Sequence, residues 1–407
     1  MKILACSDIH LGRVPLVGGD EAQTGSSSWD AVVQKALQLE VDALLLSGDV
    51  VEQEKAWLSV YHPLLSGLKR LEETGIKVIA VGGNHDYGVF PRIAQENGAI
   101  TLLGLRGTWE HCDLGPVRFI GWSFSGPSVQ DNPLSYFDAS LVEGTKLTLG
   151  LLHTDAGTQS SPYAPTQISD FSASGVDVWM LGHIHKPAKV ASNAYYCGSP
   201  FALDKSEMGR HGAWLLTTIA DSAWQEPQFI NLCPYRYERL SVDVSGLSDL
   251  EQVKSKLTET ARTYAATLEE PTHLYLMPVF SGTLAPSLDL SRFFGSTDEE
   301  LTQLFVQDAT KVYVLNRYSD ETELELDLAS LAAGQGPAAL LAQMLLDDEM
   351  LASLAKEYKI LDRDSYNRSA FDMLTKRTLD ADTALQKTKQ AGKRLLKAMV
   401  VQTQGGN

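Results

Sequence analysis

Six short apolar runs stand in the first half of the chain: Lys2–Ser7, Ala43–Ser47, Lys77–Val81, Val117–Gly121, Leu147–Leu152 and Val178–Leu181. Trp29–Leu39 and Ala56–Leu71 lie between the first three and carry apolar residues at three-to-four spacing, as amphipathic helices do. Five of the six runs stop at Asp8-Ile9-His10, Gly48-Asp49, Gly83-Asn84-His85-Asp86, His153 and Gly182-His183-Ile184-His185. Strands separated by helices predict a layered α/β domain. A chain that ends its strands this way gathers carboxylate, amide and imidazole donors along one edge.

Length and composition bound the remainder. A chain of 407 residues exceeds one ordinary core, so two or three domains are expected. A hydrophobic fraction of 44% with 21% charged residues suits a soluble globular protein. No apolar run approaches the roughly 18 residues a membrane span requires. The first strand runs directly into Asp8, leaving no room for a cleavable signal segment. Cys6, Cys112, Cys197 and Cys233 are scattered without paired spacing, which favours a reducing cytoplasm over a disulfide framework or a zinc ribbon. A net charge of −17 opposes unaided adhesion to nucleic acid, because an acidic field repels phosphate backbones.

The Ser-rich stretch Gly18–Ser28 reads as a loop, either surface linker or substrate rim. After Tyr235 the texture changes. Arg239–Val244, His273–Phe280 and Lys311–Leu315 read as strands. Leu250–Leu268 places Val253, Leu257, Ala261, Tyr264 and Leu268 on one helical face, giving a small α+β module. Beyond about Gly336 the pattern is helical. Phe371–Asn407 holds seven basic and three acidic residues, a net of +4 that leaves −21 for the rest of the chain. Such a segment is either a solvated helix face or an amphipathic helix that docks on a partner.

The strand-end residues suit one chemistry. Asp8 and His10, two apart, reach a single ion from an extended chain. Asp49 offers a bridging carboxylate, Asn84 a neutral carbonyl, and His153, His183 and His185 imidazoles. Mixed nitrogen and oxygen donors favour manganese, iron or zinc over calcium. Two cations about 3.5–4 Å apart would clamp a phosphate and activate water for in-line attack. His85, beside a ligand, is placed to stabilise the phosphoryl group or protonate the leaving oxygen. Asp86 is expected to orient the His85 ring. Any one of these histidines alone would be an ordinary residue. Five of nine fall in these motifs, and the other four, His62, His111, His211 and His273, read as structural.

This ordered set resembles the signature of the calcineurin-like metallophosphoesterases over residues 1 to about 215. A closer resemblance is to the SbcD-type DNA repair nucleases, including the YhaO-like branch of bacteria. It rests on Cys6-Ser7-Asp8-Ile9-His10-Leu11-Gly12, on Gly182-His183-Ile184-His185-Lys186-Pro187 followed by Tyr196-Cys197-Gly198-Ser199-Pro200, and on Glu207 and Gly212. Tyr235–Leu315 sits where that family carries a small capping domain, and the helical tail sits where it docks on an SMC-like ATPase.

The resemblance implies a four-layer αββα sandwich over 1–232, an α+β capping domain over 233–335 and a helical partner-binding region over 336–407. It assigns one metal to Asp8, His10, Asp49 and His185, the other to Asp49, Asn84, His153 and His183, and catalysis to His85. It further implies Mn²⁺ (with iron or zinc as alternatives), a homodimer, DNA as substrate and an SbcC-like coiled-coil ATPase as partner. One residue departs from the pattern. Glu52 stands where many relatives carry a polar or histidine side chain near DNA, and an acid there is expected to repel a phosphate backbone. The competing readings are a phosphodiesterase or phosphatase for a small molecule such as a cyclic nucleotide, and a scaffold subunit that retains its site.

Overall fold

Burial on both faces explains why the strands in the first half of the chain read as near-continuous apolar runs. The structure is a computed structural model and describes residues 1–13, 25–52, 57–144, 146–158, 160–268, 273–285, 288–295, 301–307, 310–324, 327–366 and 380–404. The chain divides into two compact units, Met1–Glu238 with Thr272–Leu274, and Arg239–Pro271 with Tyr275–Asn407.

In the first unit the elements run β1 (Lys2–Cys6), α1 (Gly25–Leu39), β2 (Ala43–Ser47), α2 (Trp57–Glu73), β3 (Lys77–Val81), α3 (Phe90–Asn97), β4 (Ile100–Leu102), β5 (Glu110–Leu114), β6 (Val117–Trp122) and β7 (Leu147–His153). They continue with α4 (Ile168–Ala173), β8 (Val178–Gly182), β9 (Ala188–Ala191), β10 (Ala194–Tyr196), β11 (Gly212–Ile219), β12 (Ala223–Trp224) and β13 (Gln228–Asn231). One sheet orders β12-β11-β1-β2-β3-β4 with β13 also on β11, and the other orders β5-β6-β7-β8-β10-β9. Pairings β1–β2, β2–β3 and β3–β4 are parallel, as are β6–β7 and β7–β8.

Successive side chains of a strand face opposite ways. Ile3, Ala5, Ala43, Leu45, Ile79 and Val81 therefore pack with Phe119, Leu149, Leu151 and Met180 in a core between the sheets. Their neighbours Leu4, Cys6, Leu44, Leu46, Val78 and Ala80 face the opposite way, onto Trp29, Val33, Leu64, Leu68 and Phe90 of the helices. On the far side, Ile120, Trp122, Leu152, Trp179 and Leu181 pack with Phe171 of α4. Helices, sheet, sheet and helix make the expected four-layer αββα sandwich, and strands buried on both faces need no polar alternation.

Within the described residues the predicted strands of this unit appear at or near their expected bounds. The α2 stripe of Val60, Leu64, Leu68 and Leu71 is buried in the core, so packing accounts for it. The Gly18–Ser28 expectation fails in part. Residues 18–24 lie outside the described residues, but Gly25–Ser28 form the first turn of α1.

The second unit holds most of the sheet β14 (Tyr235–Asp243), β15 (His273–Ser281), β18 (Thr310–Leu315) and β17 (Leu301–Gln307) in that order, with α5 (Leu250–Ala265). A small pair joins β16 (Thr283–Leu284) to β20 (Glu323–Leu324), while β19 (Ser319–Asp320) lies on β15. The helices α6 (Leu328–Ala332), α7 (Pro337–Leu346), α8 (Asp348–Tyr366) and α9 (Ala381–Gln404) bury Ala342, Leu345, Leu351 and Leu396 together. Residues 371–379 and 405–407 of the basic segment lie outside the described residues. Of its basic side chains, Lys393 pairs with Glu323 at 3.2 Å and Arg394 donates to the Asp320 carbonyl. No described helix is long and apolar enough to cross a membrane.

Candidate metal centre

Parallel registration brings the carboxyl ends of β1, β2, β3, β7 and β8 level, with Ser47 opposite Val81 and His153 opposite Gly182. Ligands of open α/β sheets gather at such ends. The loops after β1 and β2 are then joined by backbone bonds: Asp8 N to Gly48 O (3.1 Å), His10 N to Asp49 O (3.0 Å) and Leu11 N to Val50 O (2.9 Å). Asp8, His10, Asp49 and His183 all have φ between 48° and 94°, a region non-glycine residues seldom occupy. Such strain persists only where the surroundings over-determine the backbone. Close approach is part of the design: a Cβ on Gly182 would run into Ser47 O and His153 Nδ1, and one on Gly83 into the Asp49 carboxylate.

The structure brings every predicted donor to this edge. Three donor groups have their ligand atoms within 4.8 Å of one another: Asp8–His10–His185, Asp8–Asp49–His153 and His10–Glu52–His85. Asn84 Oδ1 lies 3.1 Å from His153 Nε2, and the His183 ring lies 5.4 Å from that of His153. His183 N also donates to both Asp8 oxygens, at 3.2 and 3.1 Å.

The hydrogen bonds fix which ring nitrogens are free. His10 Nδ1 donates to Glu52 (2.7 Å), His185 Nδ1 to Glu207 (2.6 Å) and His153 Nδ1 to the Ser47 carbonyl (3.0 Å). A carboxylate or carbonyl only accepts, so each Nδ1 carries a proton and each neutral Nε2 presents a lone pair. His10 Nε2 and His185 Nε2 then face each other at 3.2 Å, lone pair to lone pair. His153 Nε2 likewise faces two oxygens, Asn84 Oδ1 at 3.1 Å and Asp49 Oδ2 at 3.2 Å. Acceptors converging on acceptors require a cation among them. The donor set therefore fits bound metal on its own chemistry.

Without a metal, a proton takes that place. Burial disfavours the charged form of His153, but Asp49 more than offsets it and raises the imidazole to about 9. Burial likewise works against ionised Asp49, yet His153, His10 and His85 hold its carboxyl well below the usual range. Burial and the neighbouring His153 lower His183 to about 4.

Two expectations are corrected. Asp86 does not orient the His85 ring. Its carboxylate points inward and accepts from Gly83 N and Val50 N, both at 2.7 Å, tying the third strand-end loop to the second. Burial first, and Asp49 second, raise it to about 7. The residue on the His85 ring is Glu52, whose Oε1 lies 3.1 Å from Nδ1. Nor is Glu52 an isolated negative charge. Hydrogen bonds from His10 and then His85 hold its carboxyl far below the usual range, so its charge is paired within the site. Glu52 and Glu207 carry no local sequence signal as imidazole partners; each lies outside the spaced motifs. Of the histidines read as structural, His211 is buried and bonds Ser199 and the Glu207 carbonyl.

Residues 1–187 match the calcineurin-like phosphoesterase family. The chain is 26% identical over 323 residues to the uncharacterized metallophosphoesterase YhaO of Bacillus subtilis (strain 168), covering 74% of each protein. It is 24% identical over 269 residues to the DNA double-strand break repair protein Mre11 of Haloferax volcanii, covering 63% of this chain and 58% of that one. It is 23% identical over 274 residues to the SbcD component of nuclease SbcCD from Escherichia coli (strain K12), covering 57% and 68%. With the donor set above, these similarities make the chain a metal-dependent phosphoester hydrolase. Its first unit carries a calcineurin-like phosphoesterase domain.

Proposed function

We propose that this chain is a manganese-dependent DNA nuclease subunit, a homodimer that works with an SbcC-like coiled-coil ATPase in DNA repair in the cytoplasm. The observation that carries phosphodiester hydrolysis is the facing of His10 Nε2 and His185 Nε2 at 3.2 Å beside Asp8 and Asp49. Asp8, His10, Asp49 and His185 would hold one cation; Asp49, Asn84, His153 and His183 would hold the other. Bound there, two divalent ions supply charge for the phosphate oxygens and a water activated for in-line attack.

The protein's own residues do the rest. Asp49 would serve both cations, and its Oδ1 accepts from His85 N at 2.8 Å, which ties the loop carrying His85 to Asp49. His85, half-exposed with one free ring nitrogen, donates to the phosphoryl group or leaving oxygen. DNA as the substrate is supported by the break-repair and nuclease relatives, and a partner by the SbcCD relative being one component of a larger nuclease. A partner that brings DNA reconciles a net charge of −17 with a polyanionic substrate. Residues 233–335 are read as the capping domain and 336–407 as the partner-binding region.

The test is purified protein with Mn²⁺ on linear DNA and on bis-p-nitrophenyl phosphate. His85→Ala is expected to lower both activities by about 10²–10⁴-fold while two metals stay bound. Hydrolysis of the small diester without DNA cleavage, alone or with an ATPase partner, would favour the small-molecule phosphodiesterase reading.

A further inference from the structure

We infer that Glu52 is a positioning residue that sets the orientation of His10 and His85 together, so that one carboxylate governs both metal retention and the catalytic histidine. This rests on the proposed roles of His10 and His85 above. The geometry is specific. Glu52 Oε2 lies 2.7 Å from His10 Nδ1, and Oε1 lies 3.1 Å from His85 Nδ1. The two rings are held edge to face with centroids 5.0 Å apart. The carboxylate is itself placed by backbone: Glu52 N donates to Leu11 O at 2.8 Å, and Val51 bridges Leu11. The loop after β2 is thereby stitched to the loop that carries His10.

A carboxylate has acceptors on both oxygens and no proton to give. It therefore takes Nδ1–H from both imidazoles at once and leaves Nε2 as the free nitrogen of each. His10 turns that nitrogen toward His185 Nε2, at 3.2 Å, and Asp49 Oδ2, at 3.9 Å. His85 keeps its own for the substrate. Glu207 does the same task for His185 alone; among the described residues Glu52 is the carboxylate bonded to two site imidazoles.

An amide distinguishes this from a merely structural role. Gln at position 52 offers one acceptor and one donor, so it satisfies one ring's Nδ1–H and opposes the other's. One imidazole must then turn or exchange its tautomer. Expected for Glu52→Gln, and for Glu52→Ala, are a fall in kcat on bis-p-nitrophenyl phosphate of about 10–100-fold with KM little changed, and Mn²⁺ affinity of the metal-free protein lower by a similar factor. Long-range ¹⁵N–¹H spectra of the metal-free wild type are expected to show Nδ1-protonated His10 and His85, with one of them altered in Glu52→Gln.

An Nδ1 that carries no proton at either ring in the wild type would overturn the inference, as would variants with wild-type kcat and metal affinity. The wild-type spectrum decides even where a variant fails to fold. His85→Ala separates the two levels. If it hydrolyses like wild type, the role of His85 is wrong; if it is inactive while Glu52→Gln is normal, only the role of Glu52 fails.

Discussion

The two units of this chain bury different things. The first encloses Ser7, Asp8, His10, Ser47, Asp49, Asn84, Asp86 and His153; in the second, Thr310 is the one buried polar residue among those described. Among the described residues, all nine non-glycine positions with positive φ lie in the first unit, and four of them are the proposed ligands Asp8, His10, Asp49 and His183. The second unit follows local rules throughout: α5 starts at a capping aspartate and buries Val253, Leu257, Ala261 and Ala265 on one stripe. Strain costs about 1–3 kcal/mol per residue, and a buried unpaired charge costs more. Both concentrate where donors must converge, and two sheets buried on both faces are rigid enough to hold them.

The sharpest way to break this contrast is Asp49→Ala. The variant leaves His153, fully buried, without its counter-charge at 3.2 Å. Removing one partner of a buried pair costs about 3–5 kcal/mol. The metal-free variant is expected to melt well below wild type and to lose hydrolysis altogether. An unchanged melting temperature would mean that the buried charges of the first unit are not coupled.

Asp86→Ala comes next. The fully buried carboxylate serves two backbone amides, each costing about 1–3 kcal/mol when left without a partner. Stability is expected to fall by that order, and activity with it, because the His85 loop loses its anchor. Asp86→Asn, which keeps acceptor oxygen for one amide, is expected to lie between the two; equal stability for Ala and wild type, measured by urea unfolding, would refute the account.

The strands most legible in the sequence were those buried on both faces, β1, β2, β3, β6, β7 and β8, because burial of both faces writes an unbroken apolar run. Short or edge strands such as β4, β9 and β13 carry no such run; Ile100–Leu102 has three residues, of which only Ile100 is buried. The donors were legible too, since each follows a strand directly. What stayed hidden is what tertiary contact alone creates. Glu52 and Glu207 meet their imidazoles across 42 and 22 residues. Asp86 neighbours His85 in sequence, yet the turn after β3 directs it to Val50 N and Gly83 N instead.

A smaller effect tests the proton that takes the cation's place. Below about pH 9 the metal-free site carries it on His153. Its affinity for that proton is raised above the ordinary imidazole value, so the bond stabilises the metal-free fold at low pH and is lost as pH rises through about 9. A cation must displace it. Mn²⁺ affinity of the site that includes His153 is therefore expected to rise about tenfold per pH unit from neutrality toward 9 and then level, with one proton released when that site fills. Calorimetry in buffers of different ionisation heat measures the release, and a pH-independent affinity would show that His153 is already neutral.

The smallest effect belongs to the second unit. Asp249 caps α5 by accepting from Gln252 N at 2.9 Å, and Gln252 in turn accepts from Ser248 N at 2.9 Å. Like Asp86 it is a carboxylate serving a backbone amide, but it is exposed, so water replaces it once it is removed. Asp249→Ala is expected to cost about 1 kcal/mol, read as a small fall in melting temperature, with hydrolysis of bis-p-nitrophenyl phosphate unchanged. The comparison with Asp86→Ala, taken per backbone amide, isolates burial, because the chemistry of each bond is the same. A loss of activity at Asp249 would mean that the second unit is coupled to the metal centre, and the division into a strained unit and a rule-abiding one would have to be redrawn.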